Sequence, residues 1–370
     1  MNTKQEKIIN WSIPLISIIM GFVLGAIIML IFGYNPMDAY SAMFECAFSS
    51  SRNIGEIFVM AAPLIFTALG FSIANSAGCF NIGLPGQALC GWVASIYTAF
   101  SLPESTPKVI MITACVISGA LAGAIAGLIP GLLRAYFGTS EVIVTIMMNY
   151  IILYTSTHLV NNAMPADWIS NKGVTNQIPA NAMLQTDWLT SMTEGSRLNI
   201  GIFLAIIAIV LFWFIMKKTT LGFEIRSVGL NPNAAEYAGM NSKRTLTFAM
   251  VISGALAGIG GVIYGLGTFG YFFQQNASLS IGFDGMAVSL LGSGSAIGIL
   301  LSALLFSILK IGGQGMPLYT PVPTELVDIV ISSIIFFIGI SYLIRFIINK
   351  VTQRRAQKAI EKQNQEGGEI

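Results

Sequence analysis

Uncharged apolar stretches of about twenty residues recur along the whole chain, and nothing else in the sequence restricts its fold as severely. They run at 11–33, 55–75, 80–100, 109–131, 141–160, 199–216, 245–268 and 325–347, with a further apolar region at 283–311. A helix needs roughly 20 consecutive apolar residues to cross the hydrocarbon core of a bilayer. Backbone groups must be satisfied internally there, which selects helices for segments of this length. Composition closes off the alternatives. Of the 370 residues, 54% are hydrophobic and 10% charged, against roughly 25% charged in soluble domains. Too few charges remain to cover a water-facing surface, so a soluble enzyme, a nucleic-acid binder and a disordered regulator are excluded. The chain is expected to be an all-α polytopic membrane protein embedded in lipid.

The region 283–311 is interrupted by Gly292-Ser293-Gly294-Ser295, through which one helix should not run. It divides into a half-helix at 284–291 and a fuller span at 296–311, giving about ten membrane segments. Charge placement tests that number. The cation-rich pieces are the N-terminus, the loop 217–244 and the tail beyond Arg345. With ten segments all three fall on one side, the cytoplasmic side by the positive-inside rule. Both termini are then cytoplasmic in a multi-pass protein of the cytoplasmic membrane. Arg52, Lys108, Lys172, Arg197 and Lys310 are left outside. The organisation expected is a transmembrane domain over 1–348, carrying an inner loop at 217–244 and an outer loop at 161–198, followed by a polar tail at 349–370. Trp168 and Trp188 in the outer loop fit either interfacial anchors or a docking surface. The N-terminal apolar run is too long for a signal-peptide core and reads as an uncleaved first span.

The octapeptide Val-Ile-Ser-Gly-Ala-Leu-Ala-Gly occurs at 116–123 and again, unchanged, at 251–258. Aligning the halves on it puts neighbouring features out of order. A second alignment keeps the order: Phe80-Asn81-Ile82-Gly83 with Phe283-Asp284-Gly285, and Ser140-Glu141-Val142 with Thr324-Glu325-Leu326. Spans 2–5 then match spans 7–10 in opposite orientation, an inverted repeat with an interrupted helix, as in many transporters. The octapeptide is read as a packing motif used twice. Gly119, Gly123, Gly127 and Gly131 make a four-residue ladder, as do Gly254 and Gly258, and such ladders let helices approach closely.

Charged and polar residues inside spans are costly, so each needs a reason. Asp284, Glu141 and Glu325 stand at expected segment starts, and Asn81 opens the third span. There they serve either as N-terminal caps and dipole partners or as groups facing a solute cavity. Gln87 and Asn149 lie deeper, and Asp328 sits one turn into the last span. The candidate pathway set is Asn81, Gln87, Glu141, Asn149, Asp284 and Asp328. His158 is the single histidine and the four cysteines have no metal-ligand spacing, so no metal, cofactor or catalytic group is expected. No phosphate-binding GxxxxGK[ST] loop occurs, and the chain cannot hydrolyse ATP by itself.

In the inner loop, Asn231 before Pro232 is a good N-cap and first helical residue. Ala234, Ala235, Glu236, Tyr237 and Ala238 favour a short helix, and Gly239 can end it. A capped helix is more than a simple connection requires. With Leu221-Gly222 and Arg226, this stretch resembles the coupling-helix region of ABC importer permeases of the ribose, branched-chain amino acid and nucleoside type. Phe80-Asn-Ile-Gly-Leu-Pro-Gly-Gln87, Gly282-Phe-Asp-Gly-Met-Ala-Val-Ser-Leu-Leu-Gly292 and Ser140-Glu-Val-Ile-Val-Thr-Ile-Met-Met-Asn-Tyr150 are similar to the nucleoside and simple-sugar permeases in particular. Pro85 departs from that pattern, standing where relatives commonly have Glu.

The resemblance implies a translocation subunit driven by a separate cytoplasmic ATP-binding subunit. It also implies a second, homologous permease subunit and an extracytoplasmic substrate-binding lipoprotein. Arg226, Asn231, Pro232, Ala234, Ala235, Tyr237 and Gly239 would meet the ATPase. Two other readings stay open from the residues alone: an ion-coupled secondary transporter using Asp284, Glu141 or Asp328, and a non-transporting membrane scaffold.

Overall fold

The structure is a computed structural model that describes residues 3–340. The first six helices are α1 (Thr3–Ile31), α2 (Pro36–Phe48), α3 (Ser51–Ser76), α4 (Leu84–Ser101), α5 (Lys108–Phe137) and α6 (Glu141–His158), most of them built on long apolar runs. α7 (Asp187–Met192) lies within the segment 161–198, and α8 (Gly201–Lys218), α9 (Thr220–Leu230), α10 (Pro232–Tyr237) and α11 (Ser242–Tyr264) follow it. The series ends with α12 (Ser280–Leu291), α13 (Ala296–Tyr319) and α14 (Glu325–Gly339). Seven of the described helices are long and apolar enough to cross a membrane, with extents of Pro14–Ile31, Ser51–Ser76, Lys108–Phe137, Glu141–Ala163, Gly201–Lys218, Ser242–Phe269 and Ala296–Tyr319. They coincide with seven of the expected segments. α4 falls outside that set because Pro85, Gln87, Ser95, Thr98 and Ser101 dilute the apolar character of its 18 residues.

Several boundaries differ from expectation. α2 and α9 are helices that the apolar pattern did not mark, because both mix polar and apolar residues. α12 begins at Ser280 instead of 284, so Asp284 lies inside the half-helix rather than at its start. α13 runs on to Tyr319, which places Lys310 within a helix and not in an outer loop. Asn81 precedes α4, whose first residue is Leu84. The outer segment is not wholly helical, since β1 (Ile169–Asn171) and β2 (Val174–Thr175) form a small antiparallel pair. The interruption between α12 and α13 is as expected, with Ser293 and Gly294 both at positive φ. The polar tail at 349–370 and the end of the last expected span lie outside the described residues.

The described residues divide into two compact units, one of Ser41–Tyr319 and a second made of those up to Tyr40 together with those from Thr320 onward. In the second, α1 lies against α14, with Gly21 on Ile334 and Gly25 on Val330. Tyr40 donates to the Phe22 carbonyl at 2.7 Å.

In the larger unit the dominant packing is α5 against α11, and the two identical octapeptides are its two faces. A Cβ on Gly123 would strike the Gly254 carbonyl, and one on Gly254 would strike the Gly123 carbonyl. Gly258 is set in the same way against Gly119. The fourth residue of each octapeptide thus meets the eighth of the other, so the helices cross antiparallel about a local two-fold axis. Dispersion and close backbone approach hold such contacts together in lipid, where no hydrophobic force acts between helices. Away from this seam, α5 turns Val109, Ile110, Ile117, Leu121 and Ile125 outward, as a lipid-facing stripe requires.

Candidate functional site

Between α3 and α4 the chain turns sharply, with Gly78 at φ +81°, and a polar cluster holds the turn. Asn81 is fully buried. Its Nδ2 donates to Gln87 Oε1 and to Ser253 Oγ on α11, both at 2.9 Å. Its Oδ1 accepts from the Gly83 amide at 2.9 Å and from Gln87 Nε2 at 3.3 Å. Asn149, on α6, closes the cluster from the other side. Its Oδ1 accepts from the Gly86 amide and its Nδ2 donates to the Ile82 carbonyl, each at 2.9 Å. Three of the candidate residues, Asn81, Gln87 and Asn149, are therefore brought together. Asn81 and Asn149 bond the backbone of Gly83, Gly86 and Ile82, groups that need partners where no helix supplies them, while Gln87 bonds the side chain of Asn81. Gly86 is needed at this point, because a Cβ would come within 2.7 Å of Asn149 Oδ1. Pro85 occupies the start of α4, where a missing N–H costs nothing, and Gly282 of α12 packs directly on it.

The candidate carboxylates go elsewhere. Glu141, in the first turn of α6, pairs with Arg134 in the last turn of α5 at 3.2 Å. Both ends also complement their helix dipoles. Asp284 on α12 forms an ion pair with Lys310 on α13, and the two side chains are only 12% and 17% exposed. Among the described residues, Lys310 is the one Lys or Arg more than a turn from both ends of a long apolar helix. Thr67 of α3 donates to the Ile281 carbonyl at 3.1 Å and Ser72 to the Gly294 carbonyl at 3.0 Å. The half-helix is thus tied at both ends to α3 and in its middle to α13. Asp328 belongs to the other compact unit, where it lines a cavity of about 440 Å³ with Leu24, Ser332 and Phe336.

A third ion pair, absent from the sequence-derived set, joins Glu56 of α3 to Arg197. The carboxylate accepts from Arg197 Nη2 at 2.7 Å, from Nε at 3.1 Å and from the backbone amide at 2.9 Å. Of the two tryptophans in the outer segment, Trp168 stacks on Phe100 and meets Tyr97 edge-on, while Trp188 stacks on Phe203. Among the described residues no group of three His, Cys, Asp or Glu side chains converges.

The segment 217–244 includes two capped helices ahead of α11. Thr219 accepts from the Gly222 amide at the start of α9, and Asn231 Oδ1 accepts from the Ala234 amide at 3.1 Å. Pro232 is the first residue of α10, and Gly239 follows it at φ +84°. The loop is also fastened to the bundle. Gly222 lies on the backbone of Ile215 and Met216 in α8, and Gly229 on that of Ser76 in α3. Ser242 donates to the Pro232 carbonyl at 2.9 Å. Asn231, Pro232, Ala234 and Gly239 are exposed, as is Arg226, whose Nε donates to the Gly222 carbonyl. Tyr237 is 96% exposed and Leu230 87%. Ala235 differs from its expected place on the contact face: it is buried and anchors α10 to the protein.

Residues 53–339 match the family described as branched-chain amino acid transport system / permease component. The chain is 49% identical to the nucleoside ABC transporter permease protein NupB of Lactococcus lactis, over 99% of this chain and all of that protein. It is 42% identical to the guanosine ABC transporter permease protein NupP of Bacillus subtilis, over 95% of this chain and 99% of that one. A more distant relative is the nucleoside ABC transporter permease protein NupC of L. lactis, 28% identical over 70% of this chain and 83% of its own length. No solved structure matches. The capped, exposed α10 and the match across the bundle have one conclusion: the chain belongs to the family of ABC transport system permease components.

Proposed function

We propose that this chain is the translocation subunit of an ABC importer for nucleosides, moving them inward across the cytoplasmic membrane. The observation that carries the reading is end-to-end similarity to NupB at 49% identity. A separate ATP-binding subunit supplies the energy. The weaker likeness to NupC favours a second, homologous permease as partner, and an extracytoplasmic lipoprotein delivers the solute. The topology proposed has ten segments, spans 2–5 inverted on 7–10, both termini inside and the segment 161–198 outside, with a permease domain at 1–348 and a polar tail at 349–370.

In this reading the exposed side chains of Leu230 and Tyr237, with Asn231, Pro232, Ala234 and Gly239, form the surface on which the ATPase pushes. Ala235 transmits the push by seating α10, and Arg226 stiffens α9. The glycine contacts to α8 and α3 carry the displacement into the bundle. Such a displacement switches access only if its contacts differ in free energy between the two states. Asp284 and its partner Lys310 border the solute pathway. Asn81, Gln87, Asn149 and Glu141 fix the backbone that shapes it. An ion-coupled carrier fits less well, because Glu141 and Asp284 are already paired with cations.

The test is uptake of radiolabelled guanosine and uridine in cells carrying the chain with its neighbouring ATPase and permease genes. Uptake should vanish when ATP is depleted and persist when the ion gradients are dissipated. The opposite pattern, or uptake of sugars but not nucleosides, refutes the proposal.

A further inference from the structure

A cavity of about 230 Å³ opens at the basic end of α8, where the elbow into α9 meets the break between α12 and α13. Its rim carries Lys217, Arg226, Ser293 and Ser295, and its floor is Trp213 and Met216. Among the described residues neither cation belongs to an ion pair, since the ion pairs there engage Arg134, Arg197 and Lys310. Arg226 spends its Nε on the Gly222 carbonyl, which leaves both terminal nitrogens of the guanidinium directed elsewhere. Two unpaired cations on one cavity attract an anion with several acceptor oxygens, and a phosphate group matches the guanidinium fork.

The apolar floor narrows the ligand further. Met216 is buried and Trp213 is 44% exposed beside Leu211 and Phe214 on the lipid-facing side of α8. A phosphate attached to hydrocarbon can fill both parts of the site, whereas a free phosphate leaves the floor uncovered. The geometry points to a binding site for the headgroup of an anionic phospholipid at this position. Cations near an anionic leaflet each strengthen such attraction, and the aromatic floor suits the headgroup boundary. A bound headgroup bridges the α8–α9 elbow to the α12–α13 break. The site is independent of which solute the protein carries.

The test uses the full-length protein in nanodiscs of mixed phosphatidylglycerol and phosphatidylcholine, read by native mass spectrometry. One phosphatidylglycerol per chain should be retained in preference to phosphatidylcholine. The double variant K217Q/R226Q should weaken that preference roughly thirty-fold, from about fivefold per cation. The charge-keeping variant K217R and the control K218Q should retain it, which separates loss of the site from loss of the fold. An equal effect of K218Q would reduce the site to diffuse surface charge and overturn the proposal. So would an unchanged K217Q/R226Q, or complete displacement of the lipid by millimolar inorganic phosphate.

Discussion

Replacing Lys310 by Met should destabilise the protein far more than its loss of one ion pair suggests, and removing Asp284 as well should restore it. Both side chains are mostly withdrawn from solvent, at 17% and 12% exposure. A buried pair gains little over an apolar pair of the same shape, because desolvation offsets the attraction. Taking away one partner is different, since breaking a buried pair from one side typically costs about 3–5 kcal/mol. For domains of a few hundred residues, about 1 kcal/mol moves the melting midpoint by roughly 2–4 °C. Lys310→Met should therefore lower it by on the order of 10 °C in nanodiscs, followed by intrinsic fluorescence. The double variant Lys310→Met with Asp284→Leu should return to within a few degrees of the parent. With stability restored, nucleoside uptake should remain lost, because the pair borders the proposed pathway. A stable single variant would contradict the buried-pair argument, and a double variant that transports normally would remove Asp284 from the pathway.

Perturbations at four further positions probe other parts of the structure. Gly123→Leu forces α5 from α11 against the Gly254 carbonyl; overpacking of this kind costs about 1–3 kcal/mol or more, and a lower melting midpoint and reduced membrane abundance should follow. Asn149→Leu strips partners from the Gly86 amide and the Ile82 carbonyl at about 1–3 kcal/mol for each buried group left unsatisfied, whereas Asn149→Asp should keep the bond to Gly86; thermal melting ranks the two. Ala235→Glu inserts a charge where α10 is seated and should abolish uptake while basal ATP hydrolysis by the co-purified partner persists. Tyr237→Ala, on the exposed side of the same helix, should weaken co-purification of that partner, and an unchanged yield would argue that α10 is not the contact.

What could be read from the sequence was chemistry local to a few residues. The Gly292–Ser295 break and the Asn231–Pro232 cap are written in adjacent positions, and the structure places both as expected. Asn81, Gln87 and Asn149 stood out as polar groups in apolar surroundings, but not their joint task. Ser253, the partner of Asn81, is 172 residues away, and nothing local marks it. Lys310 was misplaced because the apolar run was ended at 311, one residue beyond it, while the helix continues to Tyr319. α10 has six residues, too few for a periodicity that could tell buried Ala235 from exposed Tyr237. α2 and α9 escaped notice because neither is apolar enough to resemble a span, and α9 is held instead by caps and by glycine contacts with α8 and α3.

The paired octapeptides also set a timetable for biogenesis. The glycine face of α5 meets its mate only after α11 has been made, and corresponding positions lie 135 residues apart. At about 5–20 residues per second of synthesis, α5 waits roughly 7–27 s with that face uncovered. Two nascent chains inserted with the same orientation present their α5 helices to each other in parallel. The native seam is antiparallel, with residue four of one octapeptide opposite residue eight of the other. Direction alone thus shields the α5 octapeptide from pairing with α5 of a neighbouring chain while its face stands vacant.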